Sequence, residues 1–271
     1  MPDDRVILIT GCSSGMGMEA AVALARRGHR VYATMRDPGR QGDLKKRFAE
    51  EGASGEIMRL DVTDAASVDD CVRHIESKEK RLDVLINNAG IGFKGTLESA
   101  AMAEIQAVFA TNLQGTVRCI QAVLPVMKRQ NSGLIINVSS ALGVIGISFA
   151  SVYVASKFAV EGLSESLHEE LRHFSIKIRL IEPGIVETRY GANAIRGSRT
   201  YDHDAPYLGA ENEARAVRAG LPRQSSREAA QTFVRAVEDE SARFRFPVGE
   251  IYARAIQRKL ADPATFTPLS A

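Results

Sequence analysis

Apolar runs of strand length alternate with amphipathic stretches of helix length through the first 180 residues of the chain. The runs are nearly continuous in Ile, Val and Leu, as expected for strands that are buried on both faces of a parallel sheet. They are RVILIT (5–10), HRVYAT (29–34), EIMRLDV (56–62), DVLINNAG (83–90), GLIINVSS (133–140) and IKIRLIEPG (176–184). Between them apolar residues recur every three to four positions, which is typical of helices. The alternation predicts an α/β fold, a doubly wound parallel sheet with helices on both faces.

The alternation stops after Gly184. Residues 185 to about 225 show no sustained periodicity, and we expect a long loop there, over the sheet edge at which open α/β folds bind ligands. A helix around 225–241 and a short strand within 243–249 are expected to follow. We find no linker, internal repeat or low-complexity run, so residues 1–271 are predicted to form a single domain.

Composition excludes several classes of protein. The chain has 45% hydrophobic residues and a net charge of +2, with acidic and basic residues interleaved, so no nucleic-acid partner is expected. The N-terminus MPDDRVILITG resembles neither a signal peptide nor an anchor, and no apolar run is long enough to span a membrane. We therefore expect a cytoplasmic protein.

A metal site is not expected either. Cys12, Cys71 and Cys119 are widely separated and form no C-x-x-C pair. His168 and His173 are five residues apart, which is not the H-E-x-x-H spacing of zinc enzymes.

A glycine-rich turn, LITGCSSGMGMEAA, joins the first strand to the first helix. Gly11, Gly15 and Gly17 allow a tight turn and close approach of a ligand, and the helix N-terminus offers free N–H groups to a pyrophosphate. Ser13 and Ser14 add hydroxyl donors. This arrangement predicts that a dinucleotide binds at the turn.

The end of the second strand bears on the choice of cofactor. NAD-binding folds of this kind place an acidic residue there for the ribose 2′-OH, whereas this chain has Met35 followed by Arg36. A guanidinium binds a 2′-phosphate well, so NADP(H) is favoured and NAD(H) stays possible. In the alternative interpretation Arg36 is a solvated loop residue and Asp37 binds the ribose.

Tyr153 and Lys157 are four residues apart in SVYVASK and, on a helix, are neighbours across one turn. An ammonium beside a phenol stabilises the phenolate and suits the phenol to acid/base work. Taken one by one, Tyr153, Lys157, Ser140 and Asn112 each have a structural interpretation: a core tyrosine, a surface lysine, a cap, and an amide that satisfies backbone carbonyls.

In combination the motifs are more specific. TGCSSGMG, NNAG (87–90), TNLQG around Asn112, NVSS (137–140), YVASK and PGIVET (183–188) occur in this order. Over residues 5 to 190 the chain resembles the short-chain dehydrogenase/reductase family in its compact single-domain branch, particularly the hydroxysteroid and retinol dehydrogenases. The resemblance implies a Rossmann-type sheet.

The resemblance also implies roles for individual residues. Tyr153 would be the general acid/base, Lys157 its partner and a ligand of the nicotinamide ribose, and Ser140, in preference to Ser139, the donor to the substrate oxygen. Asn112 would help to hold a proton-relay water. The remaining cofactor contacts that the resemblance implies are Met16, Asp61, Val62, Asn88, Ala89, Gly90, Pro183, Gly184, Val186 and Thr188.

The substrate pocket is expected between the apolar segment 142–150 and the loop after residue 188. Leu142, Val144, Ile147 and Phe149 in the segment, and Tyr190, Tyr201 and Tyr207 in the loop, are available to line it. Such a lining suits a lipophilic ketone or secondary alcohol such as a steroid or retinoid. In the alternative interpretation these residues pack against the sheet edge.

The expected function is therefore an NADP(H)-dependent alcohol/carbonyl oxidoreductase that acts by hydride transfer on a small molecule. The family resemblance implies pairing of the helices at 102–130 and 153–173 in a homodimer or homotetramer. The alternatives are a catalytically silent NADP-binding regulator or scaffold of the same fold, and a sugar-nucleotide epimerase or dehydratase, which usually carries a longer C-terminal domain.

Overall fold

The structure, a computed structural model, describes residues 4–188, 191, 193–199 and 205–262. The strands of this part of the chain are β1 (Val6–Ile9), β2 (Arg30–Met35), β3 (Glu56–Arg59), β4 (Val84–Asn87), β5 (Phe93–Lys94), β6 (Gly133–Val138), β7 (Ile176–Pro183), β8 (Val186–Glu187), β9 (Ile195–Arg196), β10 (Gln224–Ser225) and β11 (Arg245–Val248).

The central sheet has the order β11-β7-β6-β4-β1-β2-β3, and every neighbouring pair is parallel. The strand order reverses beside β1, which makes the fold doubly wound and puts a crevice at the carboxyl ends of β1 and β4. The predicted α/β fold class is confirmed.

Helices cover both faces of the sheet. Those within the described residues are α1 (Gly15–Arg26), α2 (Gly42–Glu50), α3 (Ala65–Glu79), α4 (Met102–Phe109), α5 (Gly115–Gln130), α6 (Ser151–Leu171), α7 (Ala205–Gly220), α8 (Ser226–Glu238) and α9 (Glu250–Ala261).

Alternate residues of each central strand enter two separate cores, as the two-residue period of a strand requires. Ile7 and Ile9 pack with α1, α2 and α8. Val6 and Leu8 pack with α3, α5 and the last turns of α6. Burial on both faces explains why β1 is a continuous apolar run.

A π-helical segment, Ala110–Gln114, joins α4 to α5. The sequence predicted a single helix over 102–130, and the chain is helical throughout but widens by one residue per turn around Asn112. Such π-helical turns are rare and are frequently found at functional sites.

The expectation of a structureless loop over 185–225 is wrong. The described part of this region holds α7 and the short strands β8, β9 and β10, which form the parallel pairs β8–β10 and β5–β9. The side chains of Tyr207, Leu208 and Val217 on α7 are exposed. Because α7 has little apolar surface buried in the core, its sequence lacks the stripe by which helices are predicted.

The C-terminal region also holds one more element than expected. After β11 the chain forms α9, in which Tyr252 and Ile256 are one turn apart and buried against a small cluster around Ala141, Val144 and Ile145. Two apolar anchors among many charged residues are a weak periodic signal, and the sequence analysis did not include this helix.

No helix in the described ranges combines the length and the apolar character that crossing a bilayer requires.

Candidate active site and cofactor cleft

The glycine turn between β1 and α1 lies against the end of β4. Gly11 and Gly15 have positive φ angles of 74° and 64°, which side-chain-bearing residues rarely adopt. A Cβ atom on residue 11 would lie 2.8 Å from the Cα of Ala89. A Cβ atom on residue 17 would lie 2.3 Å from the side-chain nitrogen of Asn88. The turn can therefore take this shape only with glycine at these positions.

Asn88 and Thr10 hold the turn in place. The Asn88 side chain donates to the carbonyl oxygens of Thr10 and Gly11 at 2.9 and 3.1 Å. The Thr10 hydroxyl accepts from the backbone N–H groups of Asn88 and Ala89, both at 3.0 Å. Sequence reasoning missed Thr10, although its place at the end of a buried strand, directly before Gly11, was a signal.

The N-terminus of α1 faces the crevice, and no side chain caps its N–H groups. Ser14 occupies the N-cap position, but its side chain makes no capping hydrogen bond, and the first turn has no acidic residue. Ser13 and Ser14 are half-buried. Met16 packs against the core beneath the turn. The free N–H groups and hydroxyls of this terminus suit an anion.

Met35, Arg36 and Asp37, at the end of β2, have different surroundings. The Met35 side chain is buried in the core, whereas Arg36 is exposed. The Asp37 carboxylate accepts from the backbone N–H of Gly39 at 2.9 Å and so caps its own turn. Arg36 is thus an exposed cation at the end of β2, and its charge acts on Asp61 after β3.

Asp61 and Val62 follow β3 on the same side. Asp61 accepts from the backbone N–H and hydroxyl of Thr63 at 2.9 and 2.7 Å. Partial burial works to raise the pKa of Asp61, but the Thr63 hydrogen bonds and the charges of Arg36 and Arg59 lower it overall. Asp61 is thus a stable anion near Arg36. Val62 packs against Gly115, where a Cβ atom would lie 2.8 Å from the Val62 side chain.

Asn112, in the π-helical segment, is buried and fully hydrogen-bonded. Its amide nitrogen donates to the Ile91 carbonyl at 2.9 Å and to the Ser156 hydroxyl at 3.0 Å, and its oxygen accepts from the Ile91 N–H at 2.8 Å. A Cβ atom on Gly90 would lie 3.3 Å from the Asn112 oxygen and 3.8 Å from Lys157 Nζ. Asn112 and Lys157 therefore meet at Gly90, and the Asn112 side chain fixes the segment after β4.

Lys157 extends into the interior rather than to solvent. Its Nζ donates to the carbonyl oxygen of Val138, at the end of β6, at 2.8 Å. The same atom lies 5.9 Å from the ring centroid of Tyr153. Burial lowers the pKa of Lys157 to about 8, against the opposing charge of Glu161. The structure thus brings Tyr153 and Lys157 together, as their spacing predicted.

Tyr153 and Ser140 are the other two side chains predicted to take part in the chemistry. Tyr153 is half-buried and packs against the core around Phe93, Val108 and Val152. The Ser140 hydroxyl donates to the Pro183 carbonyl at 3.3 Å and accepts from the Leu142 N–H at 3.1 Å.

The segment 183–188 closes the crevice from the β7 side. Thr188 lies near the glycine turn, since a Cβ atom on Gly15 would be 3.1 Å from its methyl group. Val186 packs against the core. The ring of Tyr252 covers Gly184, where a Cβ atom would lie 1.9 Å from a ring carbon. Sequence reasoning missed Tyr252, and the spacing of its neighbours offered no signal for it.

The residues of segment 142–150, predicted to line the substrate pocket, fall into a buried group and a half-buried group. Val144 is buried against Tyr252 and Ile256, so it packs the sheet edge. Leu142, Ile147 and Phe149 are half-buried. The Phe149 ring meets Tyr207 of α7 edge-on, with centroids 6.3 Å apart. Two further predicted lining residues, Tyr190 and Tyr201, lie outside the described residues.

Similarity to known proteins agrees with this geometry. The family model described as short chain dehydrogenase matches residues 5–198. Retinol dehydrogenase 8 of Bos taurus is 48% identical over 190 residues, which cover 69% of this chain and 60% of that protein. The 17-beta-hydroxysteroid dehydrogenase type 1 of Homo sapiens is 36% identical over an alignment that covers 96% of this chain and 82% of that protein.

Solved structures give the same result. The crystal structure of a short-chain dehydrogenase from Streptomyces avermitilis superimposes with a TM-score of 0.83 and 30% sequence identity, covering 97% of this chain and 94% of that one. The family predicted from the motifs is thereby confirmed: this chain belongs to the short-chain dehydrogenase family.

Proposed function

We propose that this chain is an NADP(H)-dependent oxidoreductase that interconverts a secondary alcohol and a ketone, with Tyr153 as the general acid/base. The observation that carries the proposal is the buried amine of Lys157, held by the Val138 carbonyl 5.9 Å from the Tyr153 ring. A lysine without such a role ordinarily extends its charged end into water. Burying it beside a phenol has a clear chemical use, the stabilisation of a phenolate.

The crevice fits a nicotinamide dinucleotide. Glycines with positive φ angles shape the turn at Gly11 and Gly15, and the N-terminus of α1, which no side chain caps, follows directly. When bound, the nicotinamide ring would supply or accept the hydride. We assign the cofactor to Gly11, Ser13, Ser14, Gly15, Met16, Gly17, Arg36, Asp61, Val62, Asn88, Ala89, Gly90, Tyr153, Lys157, Pro183, Gly184, Val186 and Thr188.

The proton chemistry rests on Tyr153, Lys157 and Ser140. In carbonyl reduction the Tyr153 phenol would give its proton to the substrate oxygen, and in alcohol oxidation it would take one. The Lys157 ammonium would stabilise the tyrosinate, and the Ser140 hydroxyl would turn from Pro183 to the substrate oxygen as charge develops there. Because the Asn112 amide is committed to Ile91 and Ser156, we assign it a positioning role.

The residues at the end of β2 favour NADP(H) over NAD(H). Arg36 is exposed there, whereas the Asp37 carboxylate, the alternative ribose ligand, is engaged with the backbone of Gly39. A guanidinium pairs with a 2′-phosphate, whereas a carboxylate repels it. NAD(H) would lack the group that Arg36 binds.

For the substrate we propose a lipophilic ketone or secondary alcohol. Support comes from the half-buried apolar side chains of Leu142, Ile147 and Phe149 and from Tyr207 of α7 beside them. The names of the two relatives, a retinol and a hydroxysteroid dehydrogenase, point to the same class of molecule.

We further propose that residues 1–271 act as one catalytic domain and that the chain assembles as a homodimer or homotetramer. The exposed apolar side chains of Met102 on α4 and Phe158 on α6 support an assembly through these helices. Light scattering of the purified protein tests this, and a monomer at all concentrations would contradict it.

The function is tested by following nicotinamide absorbance with purified protein, NADPH or NADH, and a panel of steroid, retinoid and simple ketones. Turnover with NADPH, and its loss in Tyr153→Phe, is the expected result. Tight NADPH binding without turnover of any of these ketones would instead favour the regulator or scaffold.

A further inference from the structure

Two buried carboxylates adjoin the Lys157 site. Glu161 of α6 is 6% exposed and Glu182 of β7 is fully buried. Arg245 of β11 reaches both, since its Nη1 atom lies 2.5 Å from one oxygen of Glu161 and 2.5 Å from one oxygen of Glu182. The two carboxylates, here called the Glu161–Glu182 pair, therefore sit around one nitrogen atom.

This pair has more acceptor oxygens than donors. The second oxygen of Glu182 is buried without a hydrogen-bond partner among the described residues, and the second oxygen of Glu161 has only the Ser139 hydroxyl beside it. A Cβ atom on Gly143 would lie 2.4 Å from the Ser139 hydroxyl and 2.9 Å from the second Glu161 oxygen, so these atoms share one small space. Two fully ionised carboxylates there would cost considerable free energy, and a proton would supply the missing donor.

The electrostatics agree with a shared proton. Burial and then the charge of Glu161 raise the pKa of Glu182 to about 7, although Arg245 opposes them. Burial also raises the pKa of Glu161, against the Ser139 hydroxyl and Arg245. Two acids that interact this closely titrate as a pair rather than one by one.

Lys157 lies one helical turn from Glu161, on the same face of α6. Glu161 is the charge that opposes the loss of the Lys157 proton on burial. The other charged groups that face the pair are Glu165, which is 61% exposed on α6 and 2.7 Å from Arg245, and Arg245 itself. The charge of the pair is thus felt at Lys157, whereas Glu165 is screened by water.

We propose that Glu161 and Glu182 hold one proton between them at neutral pH and, by releasing it to bulk water as the pH rises, keep the Lys157 ammonium charged. They are positioning residues for the Tyr153–Lys157 centre. As the pH rises, the Glu161–Glu182 pair becomes more negative over the same pH range in which Lys157 would otherwise lose its proton. This added negative charge favours the Lys157 ammonium, so Lys157 stays cationic up to a higher pH. Only the consequence for turnover rests on the proposed function.

The test is an NMR titration of the protein without added substrate, with ¹³Cε-labelled lysine and ¹³Cδ-labelled glutamate. Lys157→Arg identifies the Lys157 signal and Glu182→Gln identifies the Glu182 signal. We expect one glutamate carboxyl to titrate near pH 7 in the natural protein. Glu161→Gln should lower the midpoint of Lys157 by about one pH unit, a tenfold change in its acid constant, and Glu182→Gln by less.

Glu165→Gln is the matched control, because Glu165 contacts the same arginine from the surface and should leave the Lys157 midpoint unchanged. A Lys157 midpoint that is the same in Glu161→Gln, Glu182→Gln and the natural protein would overturn the proposal. So would the absence, in the natural protein, of any glutamate that titrates above pH 6, which needs no variant to fold. Neither readout involves turnover, so the proposal and the proposed function can fail independently.

Discussion

Asn112 and Ile91 are joined by a reciprocal pair of hydrogen bonds: the Asn112 amide donates to the Ile91 carbonyl at 2.9 Å, and the Ile91 N–H donates to the Asn112 oxygen at 2.8 Å. The Asn112 side chain thereby satisfies the Ile91 N–H and C=O groups, as the backbone of a neighbouring strand would do. One residue of the π-helical segment thus holds the backbone that follows β4.

Replacing Asn112 by alanine removes both bonds and leaves the Ile91 backbone groups without these partners. We expect the free energy of unfolding to fall by about 2 kcal/mol, within the usual cost of unsatisfied groups, and cofactor binding to weaken as the segment moves. Urea denaturation measures the first effect and fluorescence titration with NADPH the second. Gln114→Ala, an exposed change in the same π-helical segment, is the control; equal stability losses in the two variants would contradict the assigned role.

Replacing Tyr153 by phenylalanine removes only the hydroxyl. Turnover should fall by at least about a hundredfold, the lower end of the usual contribution of a positioned acid/base, with NADPH affinity nearly unchanged. Steady-state kinetics and calorimetric titration measure the two quantities. Tyr207→Phe, in the proposed substrate wall, should keep most of the rate; a normal rate in Tyr153→Phe would remove Tyr153 from the chemistry.

Replacing Arg36 by aspartate places a carboxylate where a 2′-phosphate is proposed. NADPH affinity should fall by about a hundredfold or more, from a lost charge pair and a new repulsion, while NADH affinity changes little. The ratio of the two dissociation constants is the measurement. Lys45→Asp on α2 makes the same change of charge at another exposed site. If Arg36→Asp weakens both cofactors equally, Arg36 does not bind the phosphate.

Replacing Gly17 by alanine adds a methyl group 2.3 Å from the Asn88 side chain and 2.7 Å from the Gly11 carbonyl. The Asn88 side chain holds the glycine turn in place, and the Gly11 carbonyl is part of that turn. Relief of the clash must therefore displace the turn, and cofactor affinity should fall more than tenfold. Gly42→Ala is the matched control, since nothing lies within 4 Å of its Cβ position. A Gly17→Ala protein with normal affinity would show that the turn tolerates the methyl group.

The pH dependence of stability reports on Lys157. Burial lowers its pKa from the ordinary value of 10.5 to about 8, so between these values the unfolded chain binds more protons than the folded one. The contribution of Lys157 to the free energy of unfolding is therefore lost as the pH falls through 8 and is fully present above 10.5. Over this window it amounts to about 3 kcal/mol.

Lys157→Met removes this dependence. The unfolding free energy of the natural protein minus that of the variant should rise between pH 8 and 10, as measured by denaturant titrations at several pH values. Lys128→Met, which removes an exposed lysine at the end of α5, is the control. A constant difference between the natural protein and Lys157→Met would mean that burial does not lower the pKa of Lys157.

The sheet was predictable because its strands are buried on both faces, which leaves long apolar runs such as residues 5–10. The glycine turn and the Tyr153–Lys157 pair were predictable because their function fixes both residue type and local spacing. α7 was not, since a helix with an exposed surface needs no apolar stripe, and neither was the Tyr252 ring over Gly184, which joins residues far apart in the chain.

The Glu161–Glu182 pair illustrates the same limit. A glutamate inside the apolar run of β7 was visible in the sequence, but its partners come from α6 and β11. Only the packing of three separate elements reveals that the two acids share one arginine. Long-range polar contacts of this kind leave no local period in the sequence.

The π-helical turn at 110–114 sets the rotation of α5 relative to α4; without it, the two would form one continuous α-helix. In an α-helix each residue turns the chain by about 100°, so an extra residue between α4 and α5 offsets their inward faces by that angle. Deleting one residue there would remove this offset, and Val108 could then face its core only if the apolar face of α5 turned away from the sheet. The number of residues in this segment therefore decides which faces of α4 and α5 turn toward the protein interior.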